Sequence, residues 1–384
     1  MTSHEGNSGD ERRTPRIVTE GIGEDRSDRT QRRRYVIAGV LLMVGIAISI
    51  ASWLLISRAE RHGIERDFEA NDRTRVSAIE RKTEYTILAM DSFVAFYSGS
   101  NVVDRSEFET FAAPFLSKHD DTETIAWLPR VSGSERADFE ASARSEGFGD
   151  FQITETDSTG QVVRAPAREE YFPIWFVEGN VESKSVLGLD IARSDPHRRA
   201  MDASRDTGQF QASDPFVSDQ CGRRQMAVSI VAPIYRNGMP TDSVADRRDS
   251  LVGFVITTVG VQNLLEKATV RLDSEEIDVH IYHDRTMLAD GSHHAVLVAG
   301  AGAHRGPEWH EFEALRSGLH CLATTDVAGQ EWTILCTPTE DFHTARRTWL
   351  PWLILGGGLL TSFALAGHLV TATTLPWPNR RLPK

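Results

Sequence analysis

The chain has 384 residues, and its 42 Lys and Arg against 55 Asp and Glu give a formal net charge of −13. A negative chain is a poor candidate for a nucleic-acid binder, because the phosphate backbone requires a basic surface. Three cysteines exclude a disulfide-dense miniprotein, and 17 Phe with 8 Trp exclude a wholly disordered chain. What remains is a folded protein whose apolar residues are unevenly distributed.

Two segments, 35–57 and 349–375, contain no Asp, Glu, Lys or Arg. A helix of about 20 apolar residues crosses the roughly 30 Å hydrocarbon layer of a bilayer, so each segment is predicted to be a transmembrane helix. The alternative for the first is a cleaved signal peptide, but the apolar region of a signal peptide lies close to the N-terminus. The alternative for the second is a buried core helix.

Basic residues beside these segments predict the orientation. Three arginines at 32–34 precede the first segment, and Arg380 and Arg381 follow the second. Because Lys and Arg concentrate on the cytoplasmic side of membrane helices, both tails, 1–34 and 376–384, are predicted to be cytoplasmic. The chain between the spans is then extracytoplasmic (periplasmic), and the protein is a two-pass protein of the inner membrane.

The N-terminal tail, 1–34, has few apolar residues and is predicted to be disordered. Segment 58–98 is predicted to be a stalk helix, because one set of residues recurs at spacings of three and four. This seam consists of Val76, Ile79, Thr83, Thr86, Met90, Phe93 and Tyr97. It fits equally a stalk that packs on the helix of a second copy, in a homodimer, and an amphipathic helix lying on its own domain.

Strands and helices alternate after a turn cluster at 98–101. Asp104 with Glu107 resembles a capping box, and Asp195 and Gly208 are expected to start and stop a later helix. The predicted elements are a strand at 123–131, a helix at 134–147, a hairpin at 151–163, an extended aromatic segment at 169–178, a helix at 195–208, strands at 225–235 and 251–260 joined by a polar loop, and a helix at 261–268. This mixture predicts an α+β fold with an antiparallel sheet.

A smaller α+β unit is predicted at about 270–342. The Ala328-Gly329 turn near its end brings Cys321 opposite Cys336 in a hairpin. An extracytoplasmic location permits oxidation, so we predict a possible cross-strand disulfide with Cys221 left as a free thiol. The alternative is two buried thiols that face each other without a bond.

Other groups of polar residues carry weaker signals. Histidines and carboxylates cluster at His280, His283, Asp284, Asp290, His293 and His294. Their spacing lacks a defined ligand geometry, so no metal site is predicted. No Ser/His/Asp arrangement, glycine-rich phosphate loop or acid–base pair of carboxylates stands out, so we predict no catalytic residue, no cofactor and no enzyme activity.

Five stretches together carry a resemblance to a known family. They are IAWLPRVSGSERADFE (125–140), REEYFPIWFVE (168–178), LGLD (187–190), ASRDTGQFQASDPF (203–216) and VSIVAPIY (228–235). In this order and spacing, the chain from about 93 to 265 resembles the CHASE domain, the extracellular sensory module found before histidine kinases and nucleotide cyclases. The resemblance implies a long stalk helix followed by two PAS-like domains between transmembrane helices, a membrane-distal ligand-binding domain at 99–265 and a membrane-proximal domain at 266–345.

The resemblance also implies ligand contacts. In the plant cytokinin receptors of this family, an Asp at the end of an S-L-D motif binds the ligand, and that position matches Asp190. Further positions that match the family's binding segments are Thr207, Gly208, Ala212 and Ser213. Asp214 adds an acid where the family has a small polar residue, so the cytokinin identity is not carried over.

The residues themselves favour the same site. A carboxylate just after an apolar strand can accept two hydrogen bonds from an amine or amidine. Aromatic residues that could wall a planar ligand are Tyr171, Phe172, Trp175 and Phe176, of which about half should face the core, because strand side chains alternate. The alternative for Asp190 is an N-cap or turn carboxylate.

The predicted function is therefore that of a membrane-anchored periplasmic sensor that binds an amine-bearing or planar small molecule. It would signal through a separate partner, a kinase or cyclase, as a homodimer. The alternatives are a truncated fragment of a CHASE-containing histidine kinase or diguanylate cyclase, and a membrane-anchored periplasmic enzyme.

Overall fold

The computed structural model describes residues 22–100, 102–118, 121–179, 185–220, 223–272, 276–287, 293–301 and 318–371. The elements in chain order are α1 (Ile22–Gly99), α2 (Arg105–Lys118), β1 (Thr122–Pro129), β2 (Val131–Ser132), α3 (Arg136–Ser145), β3 (Thr154–Thr156), β4 (Val162–Arg164), β5 (Glu170–Tyr171), β6 (Phe176–Gly179), a short 3-10 helix (Ile191–Arg193), α4 (Asp195–Thr207), β7 (Gln211–Ala212), β8 (Phe216–Gln220), β9 (Arg223–Tyr235), α5 (Val244–Ser250), β10 (Leu251–Gly260), α6 (Val261–Thr269), β11 (Ile277–Met287), β12 (His293–Ala301), β13 (Cys321–Val327), β14 (Gln330–Pro338), α7 (Glu340–Arg346) and α8 (Leu350–Thr371). This is the mixed helix and sheet architecture that the sequence predicts.

The chain divides into two compact units, one formed by residues up to 63 with those from 347 onward, and the other by residues 64–346. The first unit contains two described helices, the first part of α1 and all of α8, that are long and apolar enough to cross a membrane by length and composition. They approach closely at small residues: a Cβ on Gly45 would overlap the Ser362 hydroxyl, and a Cβ on Gly358 would overlap the Ser49 hydroxyl. Small residues at such positions let two helix backbones approach each other.

Helix α1 starts earlier than predicted. It begins at Ile22, so the prediction of disorder for 1–34 is wrong for 22–34, while 1–21 lies outside the described residues. Helix hydrogen bonds are local, and adding a turn to an existing helix avoids the cost of nucleation. The apolar span that follows can therefore support a helical extension that has no apolar face of its own.

The stalk seam is buried within this chain. Every seam residue is at most 9% exposed, and Ile79, Thr86, Met90 and Phe93 are completely buried. Ile79 belongs to a core shared with the second sheet, and Met90 and Phe93 belong to a core shared with the first sheet. Of the two alternatives, the seam is therefore the face of an amphipathic helix lying on its own domain, and packing of this seam on a second copy is wrong.

The second unit contains a six-stranded antiparallel sheet in the order β6-β1-β10-β9-β7, with β8 also paired to β9. Its strands β1, β9 and β10 are apolar on both faces, because helices cover both. One face carries Ile125, Trp127 and Val255 and packs on α1 and α2. The opposite face packs on α4 and the 3-10 helix and holds the candidate site.

A four-stranded antiparallel sheet in the order β12-β11-β14-β13 follows α6. The predicted hairpin register is confirmed, with Cys321 opposite Cys336 and Val327 opposite Gln330. Ala328 (φ 49°) and Gly329 (φ 79°) both adopt the left-handed conformation that two-residue hairpin turns require. Both described cysteines are free thiols, so the disulfide stays a prediction, and Cys221 lies outside the described residues.

The predicted domain boundary at 265 falls inside α6. Leu264 and Leu265 of this helix share one core with Ile230 of the first sheet and with Ile281 and Trp332 of the second. The two sheets are therefore joined through α6 by continuous apolar packing, and the boundary itself stays a prediction.

Local capping signals place several helix ends. Asp104 accepts a hydrogen bond from the Glu107 N–H at 2.8 Å, and the Asp104 N–H donates to the Glu107 carboxylate at 3.1 Å, which confirms that capping box. Gly208 ends α4 with φ 75°, also as predicted, but the N-cap is Ser194 rather than Asp195. Helix α5 lies in the segment predicted to be a polar loop, where Ser243 forms a capping box.

Candidate ligand site on the six-stranded sheet

The face of the six-stranded sheet that is turned away from α1 and α2 is lined by apolar side chains. Leu128, Phe254 and Ile256 of the sheet pack with Ala200 and Met201 of α4. Phe172, Ile174, Leu189 and Ile191 close this layer. The sequence predicts this arrangement only in part, because α4 and the sheet are far apart along the chain.

Asp190 lies at the edge of this layer and is 3% exposed. Its carboxylate caps the short 3-10 helix, where Oδ1 accepts a hydrogen bond from the Ala192 N–H at 3.1 Å. The Phe172 N–H is a second backbone donor to the same carboxylate. Its own N–H donates to the Thr154 carbonyl at 2.8 Å, which holds the backbone in place. Asp190 therefore has the capping role that was the alternative to a ligand contact.

The electrostatic state of Asp190 follows from its position. Burial raises the pKa of the carboxyl above its usual range, against the backbone N–H groups of Ala192 and Phe172 and the charges of Arg168 and Arg193. A buried carboxylate that accepts hydrogen bonds only from backbone groups retains unused acceptor capacity. A donor on a ligand, particularly a cationic one, would stabilise its ionised form.

A chain of buried polar side chains lies beside Asp190 along the same layer. His197, in the first turn of α4, contacts the Ser194 hydroxyl through Nδ1 at 2.7 Å and the Ser229 hydroxyl through Nε2 at 3.1 Å. Ser229 lies 3.1 Å from the Thr258 hydroxyl on the neighbouring strand. Burial lowers the pKa of His197 to about 4, so the imidazole is neutral near pH 7.

This histidine was missed by the sequence reasoning. Its partner Ser229 lies on β9, 32 positions further along the chain, and Thr258, the next hydroxyl in the chain of contacts, lies on β10; no local motif connects them. The only local signal is Ser194, three residues before His197, at a helix N-terminus.

Of the two residues that the resemblance implies as ligand contacts in this segment, Ser213 joins the polar chain and Ala212 does not; their contact with a ligand stays a prediction. The Ser213 N–H donates to the Ser229 carbonyl at 2.8 Å, and the Ser213 hydroxyl accepts from the Ser229 N–H at 2.9 Å. Ala212 is buried in the core around α6 and the four-stranded sheet instead. Asp214 pairs with Arg199 of α4, so the additional acid of this segment forms an ion pair.

Thr207 and Gly208 form the end of α4. The Thr207 hydroxyl donates to the Ala203 carbonyl at 2.7 Å and accepts from the Gln209 N–H at 3.2 Å, and Thr207 itself is exposed. Gly208 adopts the left-handed conformation of a helix C-cap. Both residues thus shape the turn that leads from α4 to β7.

The four predicted aromatic residues lie in different surroundings, and only Phe172 belongs to the layer beside Asp190. The Tyr171 hydroxyl donates to the Pro166 carbonyl at 2.7 Å and accepts from the Arg168 N–H at 2.7 Å, in a separate small core. Trp175 and Phe176 pack on the opposite face of the sheet, under the guanidinium of Arg105. The consecutive residues Trp175 and Phe176 lie on the same face, so simple strand alternation does not divide this set; the segment is interrupted between β5 and β6.

A second feature is a groove of about 760 Å³ between α1 and α2. Its apolar lining includes Tyr85, Leu88, Phe96, Phe111 and Pro114. The Phe96 and Phe111 rings stack at 4.4 Å. This groove lies on a different side of α1 from the buried seam.

The predicted absence of a metal site has no counterevidence in the part of the chain that the structure describes, where no three His, Cys, Asp or Glu residues are grouped to hold an ion. His283 contacts Gln330 at 3.0 Å, and His280 is buried in β11. Asp290 lies outside the described residues, as do the side chains of Asp284, His293 and His294.

Comparison with known proteins gives a family and several distant structural likenesses. The CHASE domain family matches residues 101–296, slightly more than half of the chain. The hybrid signal transduction histidine kinase A of Dictyostelium discoideum is 23% identical over 342 residues, which cover 86% of this chain and 16% of that protein. This chain thus spans about a sixth of the length of the curated relative that it matches.

Among solved structures, the ligand-binding domain of the Pseudomonas aeruginosa chemoreceptor PctC in complex with GABA is 12% identical, covers 70% of this chain and 96% of its own, and has a TM-score of 0.37. The ligand-binding domain of PctB from the same organism with L-Arg is 10% identical, covers 73% and 97%, and has a TM-score of 0.39. That of Pseudomonas fluorescens CtaA with L-isoleucine is 13% identical, covers 75% and 98%, and has a TM-score of 0.38. On the strength of the sequence match at 101–296, this chain belongs to the CHASE domain family.

Proposed function

We propose that the protein is a membrane-anchored extracytoplasmic sensor that binds an amine-bearing small molecule beside Asp190. The observation that carries the proposal is the Asp190 carboxylate, which is 3% exposed, accepts hydrogen bonds from the backbone N–H groups of Ala192 and Phe172, and borders an apolar layer in a family of sensory domains. Each added hydrogen bond or opposite charge offsets part of the free energy that burying a carboxylate costs. A ligand amine would supply both, because a carboxylate can accept more than two hydrogen bonds.

The proposed contacts are a subset of the residues that the sequence predicts. Asp190 would accept hydrogen bonds from the ligand amine, and Phe172 would pack on its apolar part. Ser213 contacts Ser229, and Ser229 contacts His197, so Ser213 would help to hold the His197 side chain in place. In this proposal Tyr171, Trp175, Phe176, Thr207, Gly208 and Ala212 shape the domain without contacting the ligand.

The charge of Asp190 makes binding dependent on pH. Burial raises the pKa of the free carboxyl, and a bound cation would lower it. Protonation of Asp190 therefore competes with the ligand, and affinity is expected to fall as the pH is lowered toward the raised pKa. His197 does not contribute in the same range, because its pKa is about 4.

The domain organisation and membrane topology are also proposals. We propose that the two sheets form two PAS-like domains and that α1 and α8 cross the membrane with both termini in the cytoplasm, as the arginines at 32–34 favour. Ligand binding would be signalled to a histidine kinase, in line with the relative's name, or to a cyclase. That output domain would belong to a separate partner or to another part of a longer protein.

The test is a thermal unfolding screen of the purified full chain with amine-bearing metabolites. We expect at least one compound to raise the melting temperature, because a ligand that binds only the folded state stabilises it by mass action. The Asp190→Ala variant should lose this shift. Asp190→Asn should lose most of it as well, since an amide cannot balance the charge of an ammonium group.

The matched control is Asp195→Ala. Asp195 lies five residues away, its side chain is 95% exposed, and it approaches only Arg198 at 3.8 Å. This variant should keep the full ligand shift. A set of compounds that stabilises wild type and Asp190→Ala equally, or a full screen without any shift, would contradict the proposal.

A further inference from the structure

Asp72 lies on α1, four residues before the first seam residue Val76, and is completely buried. Neither oxygen of its carboxylate has a hydrogen-bond partner among the described residues. Phe68 and Val76, one turn to either side of Asp72, share one core with Cys336 and Cys321. The two thiols therefore lie near the carboxylate and lower its pKa, but only weakly, because S–H groups are poor donors.

Charged groups nearby compensate only in part. Arg75, one turn further along α1, attracts the carboxylate, and Glu69 repels it. Arg73 lowers the pKa of the Cys321 thiol, and Glu69 raises it. From the four-stranded sheet, the two thiols act on Asp72.

The two cysteines are placed for bond formation. They lie directly opposite each other on β13 and β14, where Cα atoms are about 4.5–5.5 Å apart, within the range that a disulfide spans. Strand β13 is at the edge of its sheet. Cys321 is partly exposed, whereas Cys336 is completely buried. A small reagent can thus reach the first thiol and not the second.

We propose that Cys321 and Cys336 form a redox modification site that reacts with small disulfides, and that Asp72 of the stalk helix senses its oxidation state. This inference is independent of the ligand site at Asp190, since it uses a different sheet and different residues.

The chemistry is thiol–disulfide exchange. The Cys321 thiol releases its proton to water, and the thiolate attacks one sulfur of the small disulfide, so that one small thiolate leaves and takes up a proton. Cys336, after losing its own proton, then displaces the second small thiolate from the mixed disulfide. Two protein thiols are oxidised to one disulfide while the small disulfide is reduced to two thiols, so two electrons are transferred and the protons balance.

Oxidation changes what Asp72 contacts. The disulfide has no S–H group, so the carboxylate loses the stabilising effect of both thiols, while the attraction of Arg75 remains. A buried charge without hydrogen bonds takes up a proton more readily. Oxidation is therefore coupled to proton uptake by a residue of α1, and the reduced state is favoured by the charged carboxylate.

The experiment uses the full chain in detergent with Cys221→Ser, which leaves two thiols. The protein is equilibrated in buffers of reduced and oxidised glutathione at pH 5.5 and pH 8, quenched with acid, alkylated in denaturant so that both thiols are accessible, and weighed by mass spectrometry under non-reducing conditions. We expect loss of two alkylation sites as oxidised glutathione increases. In Asp72→Asn, the midpoint at pH 8 should shift toward oxidation by roughly tenfold, because the carboxylate no longer stabilises the thiols.

At pH 5.5 the shift between wild type and Asp72→Asn should be small, because the carboxyl is then already protonated. Asp91→Asn, which removes an exposed carboxylate of the same helix, should leave both midpoints unchanged. An infrared band of a protonated carboxylic acid should grow on oxidation of the wild type at pH 8, where the carboxyl of the reduced protein, with its pKa of about 7, is mostly ionised. This measurement does not depend on any Asp72 variant. Two thiols that stay alkylatable throughout, or equal midpoints at pH 8 with no new infrared band, would overturn the proposal.

Discussion

Buried carboxylates in this protein are stabilised to very different degrees. Glu140 is 4% exposed, and although burial tends to raise its pKa, the Ile153 N–H at 3.0 Å and the guanidinium of Arg136 at 2.9 Å lower it overall. Asp72 has no such donors, and burial raises its pKa to about 7. The difference lies in the partners, since both side chains are removed from water.

This contrast predicts how stability depends on pH at Asp72. The pKa of Asp72 in the folded protein lies above the unfolded value of 3.8. The free energy of unfolding is therefore highest when the carboxyl is protonated, and it falls as the pH rises from about 4 through about 7. Asp72→Asn carries no such charge, so under reducing conditions it should become more stable than wild type at pH 8, by an amount on the order of a few kcal/mol. At pH 5 the difference between the two proteins should be smaller, because only part of the range between the two pKa values has been crossed.

The measurement is thermal unfolding of both proteins at pH 5 and pH 8, followed by tryptophan fluorescence. The Asp91→Asn variant serves as the exposed control and should follow the wild type at both pH values. Parallel pH profiles for wild type and Asp72→Asn would show that the buried carboxyl does not titrate in this range.

At the scale of elements, α1 presents two apolar stripes. The seam from Val76 to Tyr97 is buried under the two sheets, while Tyr85 and Leu88 on another side are 51% and 63% exposed. Spacings of three and four fix which residues share a helix face, but they do not determine what covers that face. The homodimer therefore stays a prediction without support from the seam.

Substitutions on the two stripes should differ in their effect. Ile79→Ala removes a completely buried side chain and is expected to destabilise the fold by about 2–5 kcal/mol, through lost apolar burial and a residual cavity. Leu88→Ala, on the exposed stripe of the same helix, should change stability by less than about 0.5 kcal/mol. Chemical unfolding of the purified chain measures both, and a larger effect of Leu88→Ala would indicate that the exposed stripe is covered by a partner.

At the scale of the whole molecule, the chain combines one unit built from two long apolar helices with another built around two sheets. The first has two apolar helices in contact through Gly45, Ser49, Gly358 and Ser362, and the second has two antiparallel sheets joined through α6. Close contacts between small residues suit helices in lipid, where no hydrophobic effect drives helices together. This organisation is in line with the proposal of a sensor anchored at both ends of its folded region.

The proposed topology can be tested by labelling single cysteines in a chain whose three native cysteines are replaced by serine. Ser158→Cys lies in an exposed turn of the β3–β4 hairpin and should react with a membrane-impermeant maleimide in intact spheroplasts. Ser3→Cys should react only after the membrane is permeabilised, because the arginines at 32–34 favour a cytoplasmic tail. The reverse pattern would contradict the orientation, and reaction at both positions would contradict membrane insertion.

Features encoded by neighbouring residues could be predicted from the sequence. The Asp104–Glu107 capping box, the Gly208 helix end and the register at Cys321 each follow from contacts or turns within a few residues of one another. Helix α5 was missed although its Ser243 capping box is equally local, because its residues are polar and lack an apolar period. The two apolar spans were recognisable for the same local reason, their length and composition.

The sequence by itself determined the α+β class, the apolar spans, most helix ends and the family resemblance, because these depend on local periodicity, caps and motif order. Only the tertiary structure decided that the α1 seam lies on its own sheets, that Phe172 and not Trp175 accompanies Asp190, and that His197 meets Ser229. It alone brought Asp72 to Cys321 and Cys336, roughly 250 residues away along the chain. Such contacts depend on which faces are buried together, and the periodicity of one segment shows which of its residues share a face but not which distant segment covers that face.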